Sequence, residues 1–270
     1  SFIDVFKLNS ERLKNISFRD SYKTVPFKAK FIDFKFNDKL IKSFDRYIDK
    51  HPFVPSNEAL RDERCREIFN IQASALAKRL EHTGLKKAVV GISGGLDSTL
   101  ALLVIAKTFE ILGYDNKDIL TITMPGFGTT DRTYNNALTL CKELGCDLRE
   151  INIVNAALLH FEDIGHDKNV HDVTYENVQA RERTQILMDI ANKEGGILIG
   201  TGDLSELALG WCTYNGDHMS MYSVNPSVPK TLVRYLVKYV AEKEANLVVS
   251  KTLLDILDTP VSPELLPKSE

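Results

Sequence analysis

The sequence has no long hydrophobic run. None of its apolar stretches approaches the roughly 18 residues that a membrane-spanning helix requires. The first residues, SFIDVFKLNSERLKN, also lack the order of a signal peptide, in which basic residues precede an apolar stretch and then small residues. These absences predict a cytoplasmic protein that does not interact with membranes.

Cysteine is scarce and is not arranged in pairs. The four cysteines, Cys65, Cys141, Cys146 and Cys212, form no CxxC motif. This spacing argues against a structural zinc site and against a redox-active dithiol. Reduced thiols are the expectation for a protein of the cytoplasm.

The chain lacks a strong excess of charge of either sign. Its formal net charge is −3, whereas nucleic-acid binders usually carry a basic domain or stripe, so we expect no nucleic-acid partner. A length of 270 residues with 43% hydrophobic content allows one large domain, or one domain with an appendage. Because the sequence begins with Ser and ends in VSPELLPKSE without a closing element, we expect a part of a longer polypeptide.

Residues 1–50 differ in composition from the remainder. They are rich in Phe, Lys and Asp and include a strand-like stretch, FKAKFIDFKF, at 27–36. The segment HPFVPSN that follows has two prolines, which disfavour both helix and sheet and so mark a connector. We therefore predict that residues 1–57 are the tail of an upstream domain with its linker, and that 58–270 form the main domain.

The main domain alternates between helix and strand patterns. Apolar residues recur at helical spacing from Arg61, and a β-branched run, AVVGI, follows at 88–92. Further strands are predicted at 119–124, 148–154 and 196–202, and further helices from about 97, at 133–145, at 177–193 and from about 230, with a long loop before residue 177. This alternation predicts a doubly wound α/β fold: a mainly parallel sheet with helices on both faces.

Ligands of such sheets bind beyond the carboxyl ends of the strands. GISGGLDS, MPGFGTT and GTGDLSE are expected at that edge. In the first, Gly94 and Gly95 allow close approach of the backbone, and Ser93 and Ser98 add hydroxyl donors, which together favour a phosphate site at a helix N-terminus. The lysine of a Walker loop is missing, and Asp97 stands at the helix start instead. An acid beside phosphates implies a cation between them, and Mg²⁺ suits carboxylate and phosphate ligands.

The string SGGLDS resembles the PP-loop signature of the ATP pyrophosphatases, which cleave ATP between the α and β phosphates. Four other segments look like the synthetase domain of glutamine-dependent NAD synthetase: MPGFGTTDRTYNNA at 124–137, DVTYENVQARERTQIL at 172–187, GTGDLSELALGWCTYNGDHMS at 200–220 and VNPSVPKTLVRYL at 224–236. The match runs from about His51 to Pro267. It implies an adenine nucleotide α-hydrolase-like fold and the amidation of deamido-NAD to NAD through an adenylated carboxylate, with ATP converted to AMP and pyrophosphate.

The resemblance also implies roles for individual residues. The ATP site would comprise Gly91, Ile92, Ser93, Gly94, Gly95, Leu96, Asp97, Ser98, Thr201 and Lys230. Mg²⁺ would be held by Asp97 and Glu206, and deamido-NAD would meet Asn177, Arg181, Glu206 and Trp211. Asp97 and Lys230 would position the reactants without a covalent protein intermediate, and Asp217 would orient ammonia or the dinucleotide.

Several of these residues also have a structural interpretation. Glu206 could be a solvated first-turn carboxylate, Thr201 a β-branched strand terminus and Trp211 core filler. Asn177 and Arg181, four residues apart on one helix face, could belong with Arg183 to an exposed polar surface.

The resemblance further implies an upstream glutaminase domain and a homo-oligomer that is at least dimeric. Residues 1–50 contain no cysteine and cannot supply the glutaminase triad, so we expect this chain to use ammonia. Two other functions remain open. Another PP-loop enzyme, either amidating like GMP synthetase or tRNA-thiolating, would keep SGGLDS, although the missing CxxC and the acidic balance disfavour thiolation. A non-catalytic nucleotide-binding module would keep the glycines but would have no reason to pair Asp97 with Glu206.

Overall fold

A computed structural model describes residues 4–24, 28, 30–33, 50–128 and 131–259. The backbone divides into two units, Ser1–Tyr47 and Ile48–Glu270. In the first unit, the described residues form two helices, α1 (Val5–Lys14) and α2 (Ile16–Thr24), which the sequence did not predict. Residues 28 and 30–33 carry no strand, and the rest of the strand predicted at 27–36 lies outside the described residues.

Five parallel strands form the centre of the second unit. They are β1 (Ala88–Gly91), β2 (Ile119–Thr123), β3 (Asp147–Glu150), β4 (Ile197–Gly200) and β5 (Tyr222–Ser223). The strand order is β3-β2-β1-β4-β5, and every neighbouring pair is parallel. The predicted parallel sheet is therefore confirmed.

Helices cover both faces of this sheet. Those of the second unit are α3 (Glu58–Thr83), α4 (Leu96–Leu112), α5 (Asp131–Glu143), α6 (Val154–Asp163), α7 (Val173–Glu194), α8 (Leu204–Leu209), α9 (Lys230–Lys243) and α10 (Leu247–Asp258). In β1 the side chains of Ala88 and Val90 join a core with α3, α4, α5, α9 and α10, whereas Val89 joins a second core with α7. The doubly wound architecture is thus confirmed, because successive strand residues point to opposite, equally apolar layers.

Helix α4 is fixed more firmly than the others because its apolar side chains are buried all around it. Each residue from Leu100 to Ile105 is buried against the sheet, α3 or α9. Burial of one such aliphatic side chain contributes about 1.5–3 kcal/mol. The start of α4, and with it the loop after β1, therefore has a rigid support.

Several sequence-based boundaries were wrong. The loop expected before residue 177 contains α6, and α7 begins at Val173 because Asp172 caps it by accepting hydrogen bonds from Thr174 N (2.9 Å) and Tyr175 N (3.1 Å). The strand expected at 148–154 is the shorter β3. Helix α10, which Asn246 caps in the same way, was not predicted.

The four cysteines are free thiols. Burial raises the pKa of Cys65 and of Cys141 to about 11, which disfavours their reactive thiolate forms. Among the helices that the structure describes, none combines the length and the apolar character needed to cross a bilayer.

The strand order reverses between β1 and β4, so the chain leaves these two neighbouring strands in opposite directions along the sheet. Such a switch point opens a crevice at the carboxyl ends of the strands, where doubly wound proteins bind their ligands. The loop between β1 and α4 and the segment between β4 and α8 both begin at this crevice. Two of the three segments singled out in the sequence are therefore adjacent.

Candidate functional site

The loop after β1 turns sharply on Gly94. This residue has φ +86°, and a Cβ added to it would collide with the carbonyl oxygen of Thr133 at the start of α5. Both facts require glycine, because side chains are disfavoured at positive φ and none would fit here. The glycine thus lets the loop lie directly against α5.

The start of α4 can bind an anion. Its N-cap residue, Gly95, makes no side-chain capping hydrogen bond. The hydroxyl of Ser93 instead accepts a hydrogen bond from Gly95 N (3.2 Å), and Ser98, which is buried, donates to Gly95 O (3.1 Å). The serines therefore stabilise the loop, and the first-turn amides with the helix dipole form a site that favours negative charge.

A lysine lies among three carboxylates at the crevice. The Nζ atom of Lys230 is 2.7 Å from Asp97 Oδ2, 2.9 Å from Asp203 Oδ2 and 3.1 Å from Glu206 Oε1. Asp97 belongs to the first turn of α4, Asp203 and Glu206 follow β4, and Lys230 begins α9. Three of the residues that the resemblance assigns to the site, Asp97, Glu206 and Lys230, thus lie close together.

Asp203 was missed in the sequence. Its side chain is fully buried, accepts a hydrogen bond from Glu206 N (2.9 Å) and thereby caps α8, while Glu206 Oε2 accepts from Asp203 N (3.1 Å). The sequence signal was the capping-box pattern in DLSE. The capping box fixes the Glu206 side chain. Glu206 is therefore more than a solvated carboxylate in the first turn of α8.

The charged groups in this cluster shift one another's pKa values. Burial raises the pKa of Asp97 above its usual value, although the hydrogen bond from Lys230 opposes this shift. Partial burial lowers the pKa of Lys230, but its hydrogen bond to Asp97 and its ion pair with Asp203 outweigh this effect and raise the pKa well above its usual range. The lysine is therefore a permanent cation in contact with the carboxylates.

The carboxylates are suited to a divalent cation. Ligand oxygens of Asp97, Asp203 and Glu206 lie within 4.8 Å of one another. The second oxygen of Asp97, Oδ1, is buried and has no hydrogen-bond partner within the described part of the chain. A buried carboxylate oxygen without a donor is an available ligand, and Mg²⁺ binds through one or two carboxylates with the remaining positions left to water or phosphate.

The residues expected to meet a dinucleotide form a second group. Asn177 Oδ1 accepts a hydrogen bond from Thr213 Oγ1 (2.8 Å), and Arg181 Nε donates to Tyr214 O (3.0 Å), so one face of α7 supports the loop after α8. Trp211 in that loop is 79% exposed and is not core filler. Within the described residues, neither Asn177 nor Arg181 bonds directly to the Lys230 cluster.

A small cavity lies between the two groups. It has a volume of about 60 Å³ and is lined by Glu206 from the charged cluster and by Asp217 from the loop, together with Gly200, Cys212 and His218. Asp217 Oδ1 accepts a hydrogen bond from Thr213 N (2.7 Å). The cavity is large enough for one or two molecules of the size of water. Thr201 directly follows β4 at the same edge of the sheet.

Comparison with known proteins gives consistent results. A family model described as NAD synthase matches residues 68–255. A glutamine-dependent NAD(+) synthetase of Mycobacterium leprae is 43% identical over an alignment 277 positions long, which covers 98% of this chain and 40% of that protein. The chain thus spans less than half the length of this relative.

Solved structures resemble a large part of this chain in fold. A glutamine-dependent NAD+ synthetase from Acinetobacter baumannii, in complex with adenosine diphosphate, is 26% identical with a TM-score of 0.65, covering 74% of this chain and 36% of that one. An NH3-dependent NAD synthetase from Campylobacter jejuni is 24% identical with a TM-score of 0.60, covering 69% of this chain and 76% of that one. The latter likeness concerns the fold alone.

Substitution of Gly94 tests the loop. Gly94→Ala should lower the affinity for ATP by about tenfold or more, because its Cβ must push the loop away from Thr133. Gly84→Ala is the matched control: Gly84 also has positive φ (+71°), but nothing lies within 4 Å of its added Cβ. Gly84→Ala should lower the free energy of unfolding only by the backbone strain, about 1–2 kcal/mol, as measured by thermal unfolding. It should leave ATP binding unchanged. Equal effects of the two substitutions on ATP titrations would contradict this account.

Removal of the Lys230 charge tests the cation site. Lys230 contacts the carboxylates that a metal would bind, so Lys230→Met should bind Mn²⁺ more tightly when no nucleotide is present. Because Lys230 is nearly half exposed, solvent screens part of the repulsion, and we expect a gain of roughly tenfold. Lys238→Met, on an exposed face of α9, is the control. Electron paramagnetic resonance of free Mn²⁺ during titration measures the Mn²⁺ affinity of both variants. An unchanged or weaker affinity in Lys230→Met would refute competition between Lys230 and the metal.

Proposed function

The chain belongs to the NAD synthase family, and from that premise we propose that it amidates deamido-NAD to NAD. In this reaction ATP activates the carboxylate of the nicotinate ring and is converted to AMP and pyrophosphate, and ammonia supplies the nitrogen. The observation that carries the proposal is the convergence of Asp97, Asp203, Glu206 and Lys230 beside the uncapped start of α4. An anion site next to carboxylates and a lysine suits a metal-bound polyphosphate.

The chemistry requires activation because a carboxylate has no acceptable leaving group. We propose that a carboxylate oxygen of deamido-NAD attacks the α-phosphorus of ATP, the bond to the β-phosphate oxygen breaks, and pyrophosphate departs. Ammonia then attacks the acyl carbon, and AMP leaves with that carboxylate oxygen. Catalysis by this route rests on positioning and on neutralisation of charge, and it needs no covalent bond to the protein.

The residues of the loop after β1 bind the departing pyrophosphate in this proposal. Amides of the first turn of α4 face the phosphates, and Ser93 and Ser98 hold the loop in shape. Lys230 supplies the cation that a Walker loop would carry within its own sequence. Since its Nζ lies 2.7 Å from Asp97 in the described structure, it has to turn from the carboxylates toward the phosphates when the nucleotide binds.

Mg²⁺ held by Asp97 and Glu206, with Asp203 adjacent, would neutralise charge on the triphosphate. Asp203 keeps the Glu206 side chain directed at the site through the capping box. It also gives Lys230 a buried counter-ion that remains when Asp97 and Glu206 are engaged elsewhere.

The second group of residues would bind deamido-NAD. Asn177 and Arg181 present polar and cationic atoms on one face of α7, and the exposed indole of Trp211 offers a surface for the nicotinate ring. The cavity beside Glu206 and Asp217 could admit ammonia, and the Asp217 carboxylate would orient it toward the acyl carbon. This placement would bring the nitrogen donor between the ATP site and the dinucleotide site.

The glutamine-dependent relatives are more than twice as long as the aligned segment. We propose that, in a protein of that length, a glutaminase region separate from these 270 residues supplies ammonia, and that the synthetase units associate at least as dimers. The chain on its own should then respond to ammonia and not to glutamine.

The proposal predicts a defined set of products. With ATP, Mg²⁺, deamido-NAD and ammonium chloride, the purified chain should form AMP and NAD in equal amounts, each only when all substrates are present. Replacement of ammonium by glutamine should lower the rate at least about 100-fold, which corresponds to roughly 2.7 kcal/mol in the barrier. Chromatography of the nucleotides provides the measurement. Formation of ADP would exclude adenylation, and ATP binding without Mg²⁺ and without turnover would favour a nucleotide-binding module.

A further inference from the structure

The buried side-chain amide of Asn225 connects the segment after β1 with the segment after β4. Asn225 lies two residues after the end of β5 and is fully buried. Its Nδ2 atom donates one hydrogen bond to the carbonyl oxygen of Asp97 (3.1 Å) and one to that of Thr201 (3.1 Å). One side chain thereby joins the first turn of α4 to the segment after β4.

A glutamine on α3 fixes the orientation of this amide. Gln72 Nε2 donates to Asn225 Oδ1 (3.1 Å) and to Val224 O (2.7 Å), and Gln72 itself is buried. If the Asn225 amide were rotated by half a turn, its oxygen would face two carbonyl oxygens and its nitrogen would face the Gln72 donor. All three hydrogen bonds of the Asn225 amide would then be lost in a buried environment, where each lost bond is costly.

Three segments form the site: the start of α4, the segment after β4 and the segment before α9. Apart from the Asn225 amide, they are connected by bonds of different kinds. Backbone hydrogen bonds from Leu204 N to Val228 O (3.0 Å) and from Val224 N to Gly200 O (3.5 Å) already join the segment after β4 to the one before α9. The start of α4 is tied to these two by side chains, namely the Asn225 amide and the ion pair between Asp97 and Lys230. The ion pair must open when Lys230 turns toward phosphate, whereas the amide need not.

We propose that Asn225 is a positioning residue that holds the start of α4 at a fixed distance from the segment after β4. The carboxylates of Asp97 and Glu206 then remain directed at one cation after Lys230 has left them. The metal and nucleotide part of this statement rests on the proposed function. The structural part, namely that Asn225 holds the two segments together, does not depend on the proposed function.

Two variants and one control test the positioning role. Asn225→Ala removes both hydrogen bonds to the carbonyls, and Gln72→Met keeps Asn225 but removes the donor that orients it. If Asn225→Ala does not fold, Gln72→Met provides the same comparison with a smaller expected effect. Thr108→Val is the control, because the buried Thr108 hydroxyl also links α4 to α3, by donating to Ala73 O (3.1 Å), but at a position away from the strand ends.

Hydrogen exchange in the metal-free protein tests the structural part. Asn225→Ala should raise the exchange rates of amides in the first turns of α4, beginning with Thr99 N, and of residues 201–206 by about tenfold relative to amides of α10. Gln72→Met should raise the same rates by a smaller factor, and Thr108→Val should not change them selectively. Unchanged exchange at the start of α4, or a uniform increase in all helices of the variant, would overturn the proposal.

Binding of ATP with and without Mn²⁺ tests the metal part. By calorimetry, the factor by which Mn²⁺ strengthens ATP binding should fall about tenfold in Asn225→Ala and stay within about twofold of wild type in Thr108→Val. An unchanged factor in Asn225→Ala would overturn the role toward the metal. If the wild-type protein shows no strengthening by Mn²⁺, the proposed function fails in its metal requirement, while the exchange measurement still decides whether Asn225 holds the segments together.

Discussion

The structure of the site depends on the contact of one ammonium group with three carboxylates. Asp97, Asp203 and Glu206 would repel one another at their observed separation, and burial makes this repulsion more costly. Lys230 compensates by lying within about 3 Å of all three. Because the charges come from three separate segments, the ion pairs also join those segments. A nucleotide with a divalent cation could replace the lysine without leaving the carboxylates unbalanced.

The fold explains why the lysine comes from so far along the sequence. In a Walker loop the lysine belongs to the phosphate-binding turn itself, whereas the turn after β1 has Asp97 at the helix start. The sheet order places β4 beside β1, and the chain returns through β5 to begin α9 at the same crevice. Lys230 therefore reaches the crevice from a different element than Asp97 does. Cation and acid are thus on different elements and can separate when a ligand enters.

Much of the fold could be predicted from the sequence. The strands β1, β2 and β4 and the helix α4 are continuous apolar runs, the helices α3 and α9 have apolar residues at helical spacing, and the alternation of strand and helix indicates a parallel sheet. The helices α6 and α10 were missed because they are short or lie close to stretches that also suit loops. Asp203 looked like an ordinary residue of a turn because its burial depends on α9, which begins 27 positions later. Asn225 gave no signal at all, since its partners Gln72 and Asp97 are more than 120 residues away.

In the proposed reaction, this crevice transfers an adenylyl group to a carboxylate. This transfer is tested by incubating the chain with ATP, Mg²⁺, ammonium and deamido-NAD in which both oxygens of the nicotinate carboxylate are ¹⁸O, followed by mass spectrometry of the products. The account predicts that one ¹⁸O atom appears in AMP for each NAD formed, because AMP leaves with the oxygen that attacked the α-phosphorus. Label in pyrophosphate or inorganic phosphate, or its absence from AMP while NAD accumulates, would contradict the account.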